Sequence, residues 1–95
     1  MNNKEAFEYW NRRVKDINIS ELLNCSVSVD TKHELISVYT YQKKNNTAYL
    51  KIDCYGDFKP TIWIWKIGLD DFVCELNEDG FVKALNLLKE YIAKV

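Results

Sequence analysis

Two short stretches of this sequence have the spacing of a metal-dependent nuclease site. Asp30-Thr31-Lys32 and Asp57-Phe58-Lys59 each set a carboxylate two positions before a lysine. A carboxylate of that kind helps to hold a divalent cation beside the scissile bond. The tripeptide arises readily by chance in a chain of this composition, and no upstream acid to complete either site is identifiable. Nucleophilic catalysis by a Ser-His-Asp or Cys-His arrangement would have to pass through His33, the single histidine, which falls in a polar turn far in sequence from every cysteine. Cys25, Cys54 and Cys74 are separated by 28 and 19 residues, without the close ligand pairs of a structural zinc site. Cys54 and Cys74 fall in apolar segments and read as small buried hydrophobes. Gly56, Gly68 and Gly80 are isolated, so no glycine-rich phosphate loop is present. These residues lead us to expect no catalytic residues, no metal and no cofactor.

The remaining chemistry is that of recognition. Between Asp53 and Asp79 stand seven carboxylates (Asp53, Asp57, Asp70, Asp71, Glu75, Glu78 and Asp79) against Lys59 and Lys66, a local balance of -5. The rest of the chain carries +4, so an overall charge of -1, from 13 Lys and Arg against 14 Asp and Glu, conceals an asymmetry. Tyr55, Phe58, Trp63, Trp65 and Phe72 lie among those carboxylates. Rigid aromatic anchors bordered by acid suit a basic surface on another protein, with charge setting the encounter rate and the rings holding the complex. The bland reading of the same acids is a set of solvated turn and helix-cap residues.

The elements that would position these groups follow from periodicity. Phe7, Trp10, Val14 and Ile17 recur at helical spacing from Asn3 to about Ile17, opposite Lys4, Glu5, Glu8, Arg12, Arg13 and Lys15, which predicts an amphipathic first helix. Asn18 to Asn24 reads either as a short helical extension or as a connector. Alternation then begins at Cys25, with Val27 and Val29 between serines. Glu34–Lys43, Ala48–Tyr55, Thr61–Ile67 and the shorter Phe72–Leu76 are rich in β-branched and aromatic residues, as strands are. Beyond Leu76 the pattern is helical again, with Asn77 or Asp79 as cap and Phe81, Leu85, Leu88 and Ile92 as the central stripe. The 95 residues therefore predict one α+β domain over 1–95: an N-terminal helix, a mainly antiparallel sheet of four or five strands, and a C-terminal helix packed on the sheet. No apolar run approaches the roughly 20 residues of a membrane span, and no basic segment leads into an apolar one, so a cytoplasmic protein that does not engage membranes is expected.

Alternation also divides each strand into two faces. A three-residue hairpin loop pairing Val38 with Ile52 and Tyr41 with Tyr49 gathers Tyr39, Tyr41, Tyr49, Tyr55, Trp63 and Trp65 on one side and the aliphatic residues on the other. That aromatic side is either a recognition surface or a second core layer beneath the first helix. Our leading expectation is a non-enzymatic protein of the immunity-protein, antitoxin or phage-inhibitor type. It would occlude a basic surface, such as that of a toxin or nuclease, through Tyr55, Asp57, Trp63, Trp65, Asp70, Asp71 and Glu75. The alternative is a single-stranded nucleic-acid module using Tyr39, Tyr41, Tyr49 and Trp63 with Lys43, Lys44 and Lys51; flanking carboxylates weigh against it. A pocket for a small apolar ligand between sheet and helices, and a homodimer through the aromatic face, are further outcomes compatible with the sequence.

Overall fold

The computed structural model describes residues 2–40 and 47–93. Helix α1 (Asn3–Asp16) begins at a capping box: the Asn2 side chain accepts from the Glu5 amide and the Glu5 carboxylate from the Asn2 amide, which satisfies two of the helix's unpaired donors. The cap at Ile17 is followed by Asn18 in the left-handed region at φ 49°. That break starts the single-turn α2 (Ile19–Leu22), so the segment after α1 is a helical piece on a new axis.

Five strands follow: β1 (Ser26–Asp30), β2 (Leu35–Tyr39), β3 (Ala48–Asp53), β4 (Thr61–Lys66) and β5 (Phe72–Glu75). Each pairs antiparallel with its neighbour in sequence, giving the order β1-β2-β3-β4-β5. Helix α3 (Glu78–Ala93) completes the α+β fold. Of the two candidate caps, Asn77 takes the role, its side-chain oxygen accepting from the Gly80 amide at 2.8 Å.

The β2–β3 register differs from the expected one. Val38 lies opposite Leu50 and Tyr39 opposite Tyr49, two residues displaced from a Val38–Ile52 pairing; Tyr41 lies outside the described residues. Because the slip is an even number, every side chain keeps its expected face. Inward point Val38, Leu50, Ile64 and Phe72 in one row and Ile36, Ile52, Ile62 and Cys74 in the next. Ile36, Val38, Leu50, Ile52, Ile62 and Ile64 are completely buried, each contributing roughly 1.5–3 kcal/mol by leaving water.

Both long helices cover this aliphatic face. α3 lies on β3, β4 and β5, and Phe7, Trp10 and Val14 of α1 belong to the same core, with the Trp10 and Phe81 rings 5.0 Å apart. The possibility that α1 roofs the aromatic side is therefore excluded. The buried line of α3 runs through Phe81, Ala84, Leu88 and Tyr91, while Leu85 and Ile92 sit at its margin, a rotation of the helix away from the stripe expected from residue size. Among the described residues no helix is long and apolar enough to cross a membrane.

Candidate functional site

The outer face of the sheet is built from three cross-strand rows. Ser26, Tyr39, Tyr49 and Trp65 make the first. Ser28, Ser37, Lys51, Trp63 and Val73 make the second, and Asp30, Leu35, Asp53, Thr61 and Glu75 the third. Aromatic and β-branched residues at every second position favour the strands, and helix packing on the opposite side leaves this one open.

Within the first row Tyr49 and Trp65 stack with centroids 4.8 Å apart and planes 24° from parallel; Tyr39 and Tyr49 follow at 6.3 Å and 31°. The shorter spacing equals the separation of neighbouring strands, about 4.8 Å, so the rings stand upright side by side and turn their edges to solvent. In the second row the Lys51 ammonium lies 5.6 Å from the centre of the Trp63 ring, a cation–π contact. The small side chains of Ser28 and Ser37 leave a groove of about 690 Å³ between these groups, and Asp71 also lines it. Tyr49, Trp63 and Trp65 are 37%, 38% and 40% exposed, large apolar surface left in contact with water.

The residues expected to meet a protein partner are thereby divided. Trp63, Trp65 and Asp71 converge on the groove. Glu75 stands on the same face in the third row, 3.9 Å from Lys59. Tyr55 and Asp57 lie on the loop joining β3 and β4, where Tyr55 meets the His33 ring edge-on at 5.4 Å. Asp70 sits in the β4–β5 turn, its carbonyl accepting from the Tyr91 hydroxyl at 2.7 Å. Of the residues considered for nucleic acid, Tyr39, Tyr49 and Lys51 line the groove, while Tyr41, Lys43 and Lys44 lie outside the described residues.

Five residues of this region were not assigned to the partner-binding surface from sequence. Ser28 and Ser37 create the groove by being small, a role visible only once register is known. Asp30 and Asp53, distant in sequence from Glu75, join it to form a carboxylate border. Phe58, 83% exposed, is held on a loop clamped by the Asn3 amide, which donates to the Gly56 and Phe58 carbonyls at 2.6 and 2.8 Å.

The groups weighed for catalysis are engaged locally. One oxygen of the Asp30 carboxylate accepts from the Lys32 and His33 amides, and the other lies 2.8 Å from His33 Nδ1. The His33 hydrogen bond holds its pKa below the usual carboxylate range. Cys54 is fully buried, and burial, aided by Asp53 and Glu34, pushes its thiol up to about 12, so it stays protonated and unreactive at neutral pH. Burial likewise raises Cys25 and Cys74. Among the described residues, no three or more His, Cys, Asp or Glu side chains gather where they could hold a metal ion. Comparison with protein-family models, with curated proteins and with solved structures returns no match for this chain.

Proposed function

We propose that this chain is a non-enzymatic binding protein that neutralises another protein by covering a basic surface, with the outer face of its sheet as the contact. One observation carries the reading: the fold packs two helices on its aliphatic face and leaves Tyr49, Trp63 and Trp65 half-exposed on the other, bordered by Asp71 on one side and by Asp30, Asp53 and Glu75 on the other. Upright rings form a ridge that inserts between side chains, and the carboxylates around it favour Lys and Arg on the partner. Blocking a basic cleft needs no chemistry from the blocker, and a toxin or nuclease acting on nucleic acid has such a cleft. A cytoplasmic setting fits this role.

Single-stranded nucleic acid is the second reading, favoured by Lys51 lying among the aromatic residues. A base stacks on the flat of a ring, however, and the facing flats of Tyr49 and Trp65 are taken up by one another. Asp71 in the same groove repels phosphate.

Immobilised chain and its Trp65→Ala variant, incubated with extract of the source cells, test the proposal. The expected result is a basic protein retained by the first and lost by the second, with affinity reduced on the order of 30-fold or more, as for a hot-spot residue. Equal retention by both would refute this face as the contact. Quenching of Trp63 and Trp65 fluorescence by a short oligonucleotide at low salt would replace the proposal with the second reading.

A further inference from the structure

The two edges of the sheet are unlike. β5 is four residues long and is bracketed by Asp70 and Asp71 before it and Glu75 at its end, the short, charged form that discourages pairing. β1 reads Ser-Val-Ser-Val-Asp, with no lysine, proline or glycine and a charge only at its last position. Its valines belong to the aliphatic face, yet α1 and α3 leave them uncovered: Val27 and Val29 are 36% and 37% exposed. They border a groove of about 310 Å³ with Val14 and Ile19.

The backbone of this edge can be assigned. The Cys54 amide donates to the Glu34 carbonyl and the Thr40 amide to the Ala48 carbonyl, so even-numbered residues of β2 turn their polar groups toward β3. By the alternation of an antiparallel ladder, Leu35, Ser37 and Tyr39 bond to their β1 partners Asp30, Ser28 and Ser26. Val27 and Val29 therefore direct their N–H and C=O groups away from the sheet, two donors and two acceptors in a row.

We infer that a second copy of this chain pairs antiparallel with β1 about a two-fold axis at Ser28, joining two five-stranded sheets into one of ten strands. That register alone pairs all five residues of both strands. It sets Val27 against Val29 of the second copy, both in hydrogen-bonded positions, and Ser28 against Ser28 in a non-hydrogen-bonded one. Asp30 meets Ser26, so no like charges face each other. An isologous contact needs a surface complementary to itself, and this near-palindrome supplies one. Valine packs beside valine over the uncovered ends of the two cores, and the two aromatic faces come to lie on the same side of the joined sheet. The inference does not depend on what the aromatic face binds.

Sedimentation velocity across a concentration series tests it together with cysteine cross-linking. The expected result is a reversible monomer–dimer equilibrium. Val29→Pro removes an outward N–H while leaving the β1–β2 ladder intact, and should raise the midpoint concentration about tenfold or more, with an unchanged circular dichroism spectrum. In the proposed register Ser28→Cys brings two thiols together across a pair whose Cα atoms lie about 4.5 Å apart, within disulfide reach; mild oxidation should yield a covalent dimer that neither the parent chain nor Ser26→Cys gives. A chain that is monomeric at every concentration overturns the inference. So does a dimer that Ser28→Cys fails to cross-link, because its contact then lies elsewhere.

Discussion

The indole of Trp65 is stacked on the phenol ring of Tyr49, one strand away, at 4.8 Å. Aromatic pairs of this geometry contribute about 0.5–1.5 kcal/mol beyond their area, so the two residues are expected to be energetically coupled. A double-mutant cycle with Tyr49→Ala and Trp65→Ala, read by urea unfolding, should return a coupling in that range. Strict additivity would show that the rings do not support one another, and the upright ridge on which the binding argument rests would lose its basis.

On the opposite face Lys66 is 4% exposed, and its ammonium donates to the Tyr91 carbonyl in the last turn of α3 at 2.5 Å. A cation suits the negative end of a helix, and the bond ties that end to β4. Lys66→Met keeps the apolar stem and removes the donor. It should cost about 1.5–3 kcal/mol, the range of hydrogen bonds made by charged groups, measurable as a lowered denaturant midpoint with unchanged slope. Tyr91→Phe, which removes the hydroxyl's bond to the Asp70 carbonyl, should cost about 1 kcal/mol. A neutral Lys66→Met variant would contradict this assignment.

Glu78, at the start of α3, accepts from the Arg13 guanidinium at 3.3 Å and from the Tyr9 hydroxyl at 3.0 Å. The Arg13 contact foremost, then that of Tyr9, lowers its pKa below the ordinary 4.5. A carboxylate whose folded value is depressed adds stability that is present above its unfolded value and is lost as pH falls through the folded one. The link between α1 and α3 should therefore hold at neutral pH and weaken in acid below about 4.5. Carboxyl NMR titration of the protein and of Arg13→Ala checks this: the Glu78 midpoint should rise in the variant, and an unmoved midpoint would discard the contact.

Gly80 stands in the first turn of α3, where alanine has the higher intrinsic helix propensity by about 1 kcal/mol. A methyl group there would collide with the Glu75 carbonyl and meet the Cys74 sulfur at 3.0 Å. Backbone cannot yield as a flexible side chain can, so overpacking, typically 1–3 kcal/mol, should outweigh propensity. Gly80→Ala is expected to lower the melting temperature; an unchanged or raised value would mean that α3 lies farther from β5 than described.

Periodicity carried much of this architecture. The 3.6-residue spacing of Phe7, Trp10 and Val14 marked α1, and alternation assigned Trp63 and Trp65 to the face opposite Ile62 and Ile64, because one buried side forces one parity. Register escaped: a pairing of Val38 with Ile52 and one with Leu50 present the same faces, and only packing distinguishes them. Lys66 shared the parity of Ile62 and Ile64, but lysine so seldom goes inside that its burial is intelligible only beside the Tyr91 carbonyl. Which face α1 covers was equally beyond the sequence, since Phe7 and Trp10 would suit an aromatic layer as well as an aliphatic one.

The sheet is a meander in which every strand pairs with its neighbour in the chain, whereas the Trp10–Phe81 contact joins opposite ends of the sequence. Hairpins between adjacent strands close short loops and form early; the core over which α1 and α3 meet cannot be sealed until α3 has left the ribosome. During synthesis a growing chain would thus hold a partly zipped sheet with its aliphatic side bare and β1 unguarded, a form open to aggregation. Docking of α3 then acts as the step that closes this core, and a chain cut short before it would be a sticky intermediate rather than a smaller working protein.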